Sequence, residues 1–253
     1  MIARVEPADV ALESPLGRVS PVLKLAVAIG WFVALAFTTR VGPPLAIAAA
    51  ALVAGLVFGR VAPDALARGL VLLWTVALSV AVFNALFAAV NADPQVAEVG
   101  RLGPLRLTEP GLAGGIGLGA RVVAIAAVGV VFAQTTDSTR LVDSLVQQAR
   151  APERFAYGAL AAYQAVPRFA EDLATLRQAR RVRGLRGEWH PRVLVGLLVL
   201  AIRHADRLAL AMDARGFGSG PRTTYREVRW GPLDAIALVA AVLVAIAALA
   251  VPF

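Results

Sequence analysis

Two arginines stand directly before glycines, each at the end of a helix-like stretch. The first stretch reads Arg177-Gln178-Ala179-Arg180-Arg181-Val182-Arg183-Gly184, and the second Ala211-Met212-Asp213-Ala214-Arg215-Gly216-Phe217-Gly218. A guanidinium presents a planar fork of donors that pairs bidentately with a carboxylate. The chemistry on offer is therefore recognition of an acidic partner rather than bond-making. Helix capping alone explains a single such pair. Glycine takes the left-handed conformation just past a helix end, and arginine in a last turn gains about 0.3–1 kcal/mol from the helix dipole. Two of them, 32 residues apart and closing successive helices, are more than capping asks for.

Residues for other chemistry are scarce. There are no cysteines, which excludes disulfides, thiol catalysis and cysteine-ligated metals. The two histidines, His190 and His204, do not make a metal site, and each is read as packing. Glu171 and Asp172 are neighbours on a helix and cannot face each other. No Gly-x-x-x-x-Gly-Lys-Ser/Thr run occurs, so any ATP must be bound by another chain. The run Gly114-Gly115-Ile116-Gly117-Leu118-Gly119 is rich in glycine, but it lies in an apolar stretch with no lysine after it. The chain is accordingly read as non-enzymatic, with no cofactor and no metal.

The elements that carry the arginines belong to a membrane protein. Of 253 residues, 58% are hydrophobic and 17% charged, with a mean hydropathy of +0.71. A soluble domain of this size buries its core with far less apolar residue, so the surplus points to lipid. A span needs roughly 20 predominantly apolar residues. Residues 22–39, 43–58, 69–90, 112–134 and 233–251 qualify, the second at the low edge, and Lys24 is expected to snorkel to the interface. The expected fold is an all-α membrane protein of about five transmembrane helices, with amphipathic helices inserted before the last span. Three segments result: 1–134 with four spans, 135–232 facing water, and 233–253 with the last span. Met1 to Pro21 lacks the basic-then-apolar order of a signal peptide.

Charge sets the orientation. Segment 135–232 holds 16 arginines and 9 acids, giving it +7 of the total +8. The positive-inside rule places it in the cytoplasm, together with the N-terminus, Arg18, Lys24, Arg60 and Arg68. Arg40, Arg101 and Arg106 fall outside. Within the block, Asp137 or Ser138 caps a helix over 139–149, Pro152 opens one over 153–166, and Pro167 opens another running to about Arg183. Pro191 opens the last, over 192–215, which Gly216 stops.

Two features lie inside the spans. Gly111, Gly115 and Gly119 recur every fourth residue and bare one helix face, either for packing within the chain or for another subunit. Arg121 sits at mid-span, paired with Asn84 or with a partner, unless the span is tilted and brings it nearer an interface.

With these residues in place, the sequence resembles the transmembrane T component of energy-coupling-factor (ECF) transporters, the EcfT/CbiQ family. Ala214-Arg215-Gly216 matches the family's Ala-Arg-Gly signature, and Val182-Arg183-Gly184 departs from it only at its first position. Ser14-Pro15-Leu16-Gly17-Arg18-Val19-Ser20-Pro21 is similar to the family's opening, and Thr135-Thr136-Asp137 to its entry into the coupling region. Pro167-Arg168-Phe169 and Gly218-Ser219-Gly220-Pro221 also resemble family stretches, in the right order.

The resemblance implies a coupling subunit of an ECF-type importer, with two cytoplasmic ABC ATPases, identical or not, and one membrane-embedded substrate-binding S component. The cargo would be a vitamin or a transition-metal ion. Arg183, Gly184, Ala214, Arg215 and Gly216 would contact the ATPases, while Gly111, Gly115, Gly119 and Arg121 would serve the S component or helix packing. No nucleic acid is expected. Two other classes remain open: a membrane-embedded enzyme, and a basic membrane-anchored module binding anionic lipid or nucleic acid.

Overall fold

The computed structural model describes residues 13–38, 40–93, 95–103, 105–185, 190–220 and 223–250. The chain divides into two units, Met1–Leu141 with Arg229–Phe253, and Val142–Val228.

The first unit is a bundle of apolar helices. After a single turn, α1 (Pro15–Arg18), come α2 (Pro21–Ala36) and α3 (Gly42–Val53), the latter continuing as a π-turn over Ala54–Phe58. Then follow α4 (Pro63–Phe87), a hairpin of β1 (Glu98–Leu102) and β2 (Leu105–Thr108), α5 (Glu109–Gln134) and, late in sequence, α9 (Pro232–Ala250). Three of these, α4, α5 and α9, are long and apolar enough to cross a membrane, and α2 and α3 are shorter apolar helices. At 1.5 Å per residue the 16 residues of α2 reach about 24 Å, short of a hydrocarbon core of about 30 Å.

Helix α5 lies at the centre because it is made of small residues. Ala124 and Ala127 are fully enclosed, in a core shared with Leu35 of α2, Ile47 and Ala51 of α3, and Ala248 of α9. On another face α5 meets α4 through glycine. Its start is capped by the Thr108 hydroxyl, which accepts from Gly111 N at 3.2 Å.

Several polar bonds bind the ends of this unit together. Lys24, the chain's single lysine, donates from Nζ to the Thr135 carbonyl at 2.6 Å, just past the end of α5. Asp234, buried at the start of α9, accepts from Ser20 N at 2.7 Å and from Gly231 N at 2.8 Å. Trp31 Nε1 donates to the Ala241 carbonyl, tying α2 to α9. The β-hairpin is an addition to the expected all-helical picture. Its strands pair antiparallel, with Arg101 opposite Arg106, and Glu98 accepts from the Nε of both at 3.1 Å.

Helix α6 (Ser138–Gln147) leads into the second unit, with the Asp137 carboxylate accepting from Arg140 N. Helices α7 (Glu153–Val182) and α8 (Pro191–Ala214) follow. Pro167 does not open a new helix. It lies inside α7, which runs unbroken for 30 residues. A proline within a helix forfeits one backbone bond and costs about 3 kcal/mol. Contacts on both sides of it offset that cost: Tyr157 donates to buried Asp143 before it, and Phe169 and Leu176 meet α8 after it.

Candidate functional site

The two Arg-Gly pairs close their helices in the same way. Arg183 and Arg215 are each the last half-helical residue, and the glycine that follows has φ of +68° at Gly184 and +69° at Gly216. Gly184 N donates to the Arg181 carbonyl at 2.9 Å, and Leu185 N to the Arg180 carbonyl at 3.1 Å. At the second end Gly216 N donates to Asp213 at 2.9 Å, and Phe217 N to Met212 at 3.0 Å. These paired bonds are the Schellman closure, which satisfies the last carbonyls and requires a left-handed residue. Each arginine is thus fixed at the backbone while its side chain extends into solvent. Both are exposed, and neither guanidinium has a partner among the described residues. Val182 is 89% exposed, so the residue that departs from the expected signature is not needed for packing within this unit.

Helices α7 and α8 form an antiparallel hairpin. Phe169 meets His204 edge-on at 6.3 Å between ring centroids. Leu176 lies over Gly196, where a Cβ would stand 3.5 Å from it. The later residue on α7 meets the earlier residue on α8, so the two signatures fall at opposite ends. Arg183 lies beside the start of α8 and Arg215 at its far end. Their separation is about the length of the 24-residue α8, roughly 36 Å. His190 caps α8, its Nδ1 accepting from Arg192 N at 3.2 Å.

The other sequence-predicted residues belong to the first unit. A Cβ on Gly115 would stand 2.5 Å from the Ala81 carbonyl oxygen and 2.8 Å from Ala85 Cβ. On Gly119 it would stand 2.8 Å from Ala81 Cβ, and on Gly111 it would run into the Asn91 side-chain oxygen. The glycine face is therefore occupied by α4, where Ala77, Ala81 and Ala85 repeat at the same four-residue spacing. Arg121 donates to the Thr38 carbonyl, just past the end of α2, where the helix dipole is negative. Asn84 is not its partner and instead donates to Val80 O one turn back.

Comparison with known proteins follows the same lines. The family described as Cobalt transport protein, CbiQ, matches residues 13–225. The chain belongs to the EcfT/CbiQ family. A relative named "Energy-coupling factor transporter transmembrane protein EcfT" from Limosilactobacillus fermentum is 28% identical across 94% of this chain and 93% of its own. Proteins of the same name from Listeria innocua and Bacillus subtilis are 30% and 27% identical, over 54% and 57% of this chain and 58% and 61% of theirs. This CbiQ-family chain is thus a multi-pass membrane protein and the transmembrane component of an ECF transporter.

Sequence reading of this family member missed Arg154, Gln147 and Gln148. Arg154 donates to the Gly218 carbonyl at 2.7 Å, and Gln147 accepts from Val228 N at 2.9 Å while donating to the Arg226 carbonyl at 2.7 Å. Their targets are backbone atoms 64 to 81 residues away, which leave no pattern in the sequence. The one available signal was Gly218 itself, a second glycine placed two residues after the signature.

Proposed function

We propose that this chain couples ATP hydrolysis by two cytoplasmic ABC ATPases to a membrane-embedded substrate-binding subunit, for uptake of a vitamin or a transition-metal ion. The carrying observation is the pair of Schellman-closed helix ends at opposite ends of one hairpin, each presenting an exposed arginine. Arg183 engages one ATPase and Arg215 the other. Two anchors set apart by the length of α8 suit a body that must follow two subunits at once. The charge balance supports a cytoplasmic N-terminus and hairpin, since the opposite orientation would export 16 arginines. The outer face of α8 supports a further partner: Leu194, Leu198 and Ile202 share one stripe and are all more than half exposed. Hydrolysis belongs to the ATPases, because this chain has no phosphate-cradling loop.

The test is the double variant Arg183→Ala with Arg215→Ala. Each lost charge contact is expected to cost about 2–5 kcal/mol, part of it from the stranded partner charge. ATP-driven uptake should vanish while the amount of protein in the membrane is unchanged. Normal uptake by the double variant overturns the reading. Co-purification should bring down two ATPase chains and one further membrane protein.

A further inference from the structure

The Schellman closure fixes Arg215 at the backbone, but the direction in which the helix end faces depends on the segment after it. That segment is braced. Ser219 N and Oγ both donate to the Gly216 carbonyl, at 3.2 and 2.8 Å. Two residues beyond the signature, Gly218 has φ of +79° and lies under the guanidinium of Arg154, in the first turn of α7. Arg154 Nη2 donates to Gly218 O at 2.7 Å. A Cβ on Gly218 would fall 2.9 Å from Arg154 Cζ and from Nη2, and closer still to Nε. Only glycine admits so close a stack, and only a planar fork can lie flat on the backbone while bonding to its carbonyl.

Ten residues on, the same run is tied down again. Gln147 grips Val228 N and the Arg226 carbonyl, and Gln148 Nε2 donates to the Val228 carbonyl at 3.3 Å. At the first signature, among the described residues, no side chain bonds to the backbone of Arg183, Gly184 or Leu185, and nothing stands within 4 Å of where a Gly184 Cβ would be.

We propose that Arg154 is a positioning residue for the second signature. Its guanidinium holds Gly218 and so sets the direction of the Arg215 end, acting on the ATPase contact through Arg215 without touching the ATPase. This rests on the reading that Arg215 engages an ATPase, and the experiment separates the two. The full-length chain, purified with its substrate-binding subunit, is titrated with the ATPase pair and the affinity measured. Arg154→Ala should weaken binding roughly ten-fold, the scale of one charge-assisted hydrogen bond. Added to Arg215→Ala it should change nothing further, whereas added to Arg183→Ala it should repeat its full effect. Gly218→Ala, which leaves the charge in place but lifts the guanidinium and also strains the left-handed backbone, should follow the same pattern and serves if Arg154→Ala fails to accumulate. Arg154→Lys should restore only part of the affinity. Wild-type affinity for Arg154→Ala, or a full additional loss in the Arg215→Ala background, overturns the proposal. If Arg215→Ala itself binds as wild type, the ATPase reading fails instead.

Discussion

In the membrane unit the glycines of α5 lie against the backbone of α4, whereas in the hairpin unit Gly184 and Gly216 end helices at the solvent-facing surface. The same residue serves two needs. At Gly115 what matters is the missing Cβ, because the Ala81 carbonyl already occupies its place. At Gly184 there is ample room, and what matters is φ of +68°. The contrast follows from what holds each unit together. In lipid there is no hydrophobic gain from bringing two apolar helices together, so close contact between small residues must hold them. The hairpin is instead held by larger side chains such as Phe169 and Leu176, and glycine is left to finish the helices.

The largest effect should come from breaking the close approach. Gly115→Leu would drive a side chain into the α4 backbone, and overpacking of a tight site costs about 1–3 kcal/mol or more. Loss of folded protein from the membrane, or a sharply lowered melting temperature in detergent, is the expected outcome. The adjacent Gly114 has nothing within 4 Å of its Cβ position, so Gly114→Leu should be tolerated. Equal damage from both would mean that composition, not the α4 contact, decides the site.

The sequence made some of this plain and hid the rest for physical reasons. The five apolar stretches reappear as α2, α3, α4, α5 and α9, because hydropathy reports the lipid-facing surface directly. Their ends are less legible. α4 begins at Pro63, six residues before its apolar run: proline suits the first helical position, and an exposed Asp64–Arg68 ion pair one turn apart accompanies this polar first stretch. Pro167 carries the signal for a helix start, yet tertiary contacts on either side carry α7 through it. The β-hairpin rests on only five and four residues in a connection between spans. For Arg121 the sequence offered Asn84, a side chain with an address; the partner was a backbone carbonyl at Thr38, which every residue carries. The signature arginines were visible because helix ends announce themselves through glycine. The Arg154 brace was not, because its bond is to backbone.

A middle-sized effect tests the other side of the contrast. Gly184→Ala and Gly216→Ala each force a Cβ into the left-handed region, at about 1–2 kcal/mol. Protein levels in the membrane should be unchanged, while affinity for the ATPase pair falls by a similar factor for the two. The pair should behave alike because the glycine and the residue after it make the same two closing bonds at both ends, although Arg183 N reaches back four residues and Arg215 N three. A loss confined to one of them would show that the two ends are not equivalent.

The smallest effect is expected at Val182, where the first signature carries valine and the second carries Ala214. Val182 sits on the last turn of α7 with 89% of its surface exposed, and the closing bonds around it run between backbone atoms of its neighbours. A β-branched residue disfavours helix slightly compared with alanine. Val182→Ala should therefore change stability by no more than about 0.5 kcal/mol, and in the stabilising direction. If Arg183 works as Arg215 does, ATPase affinity should also stay within about two-fold, a shift of under 0.5 kcal/mol. A ten-fold change in either direction would place the valine in the contact itself, and the first ATPase site would then have to be shaped around a larger side chain than the second.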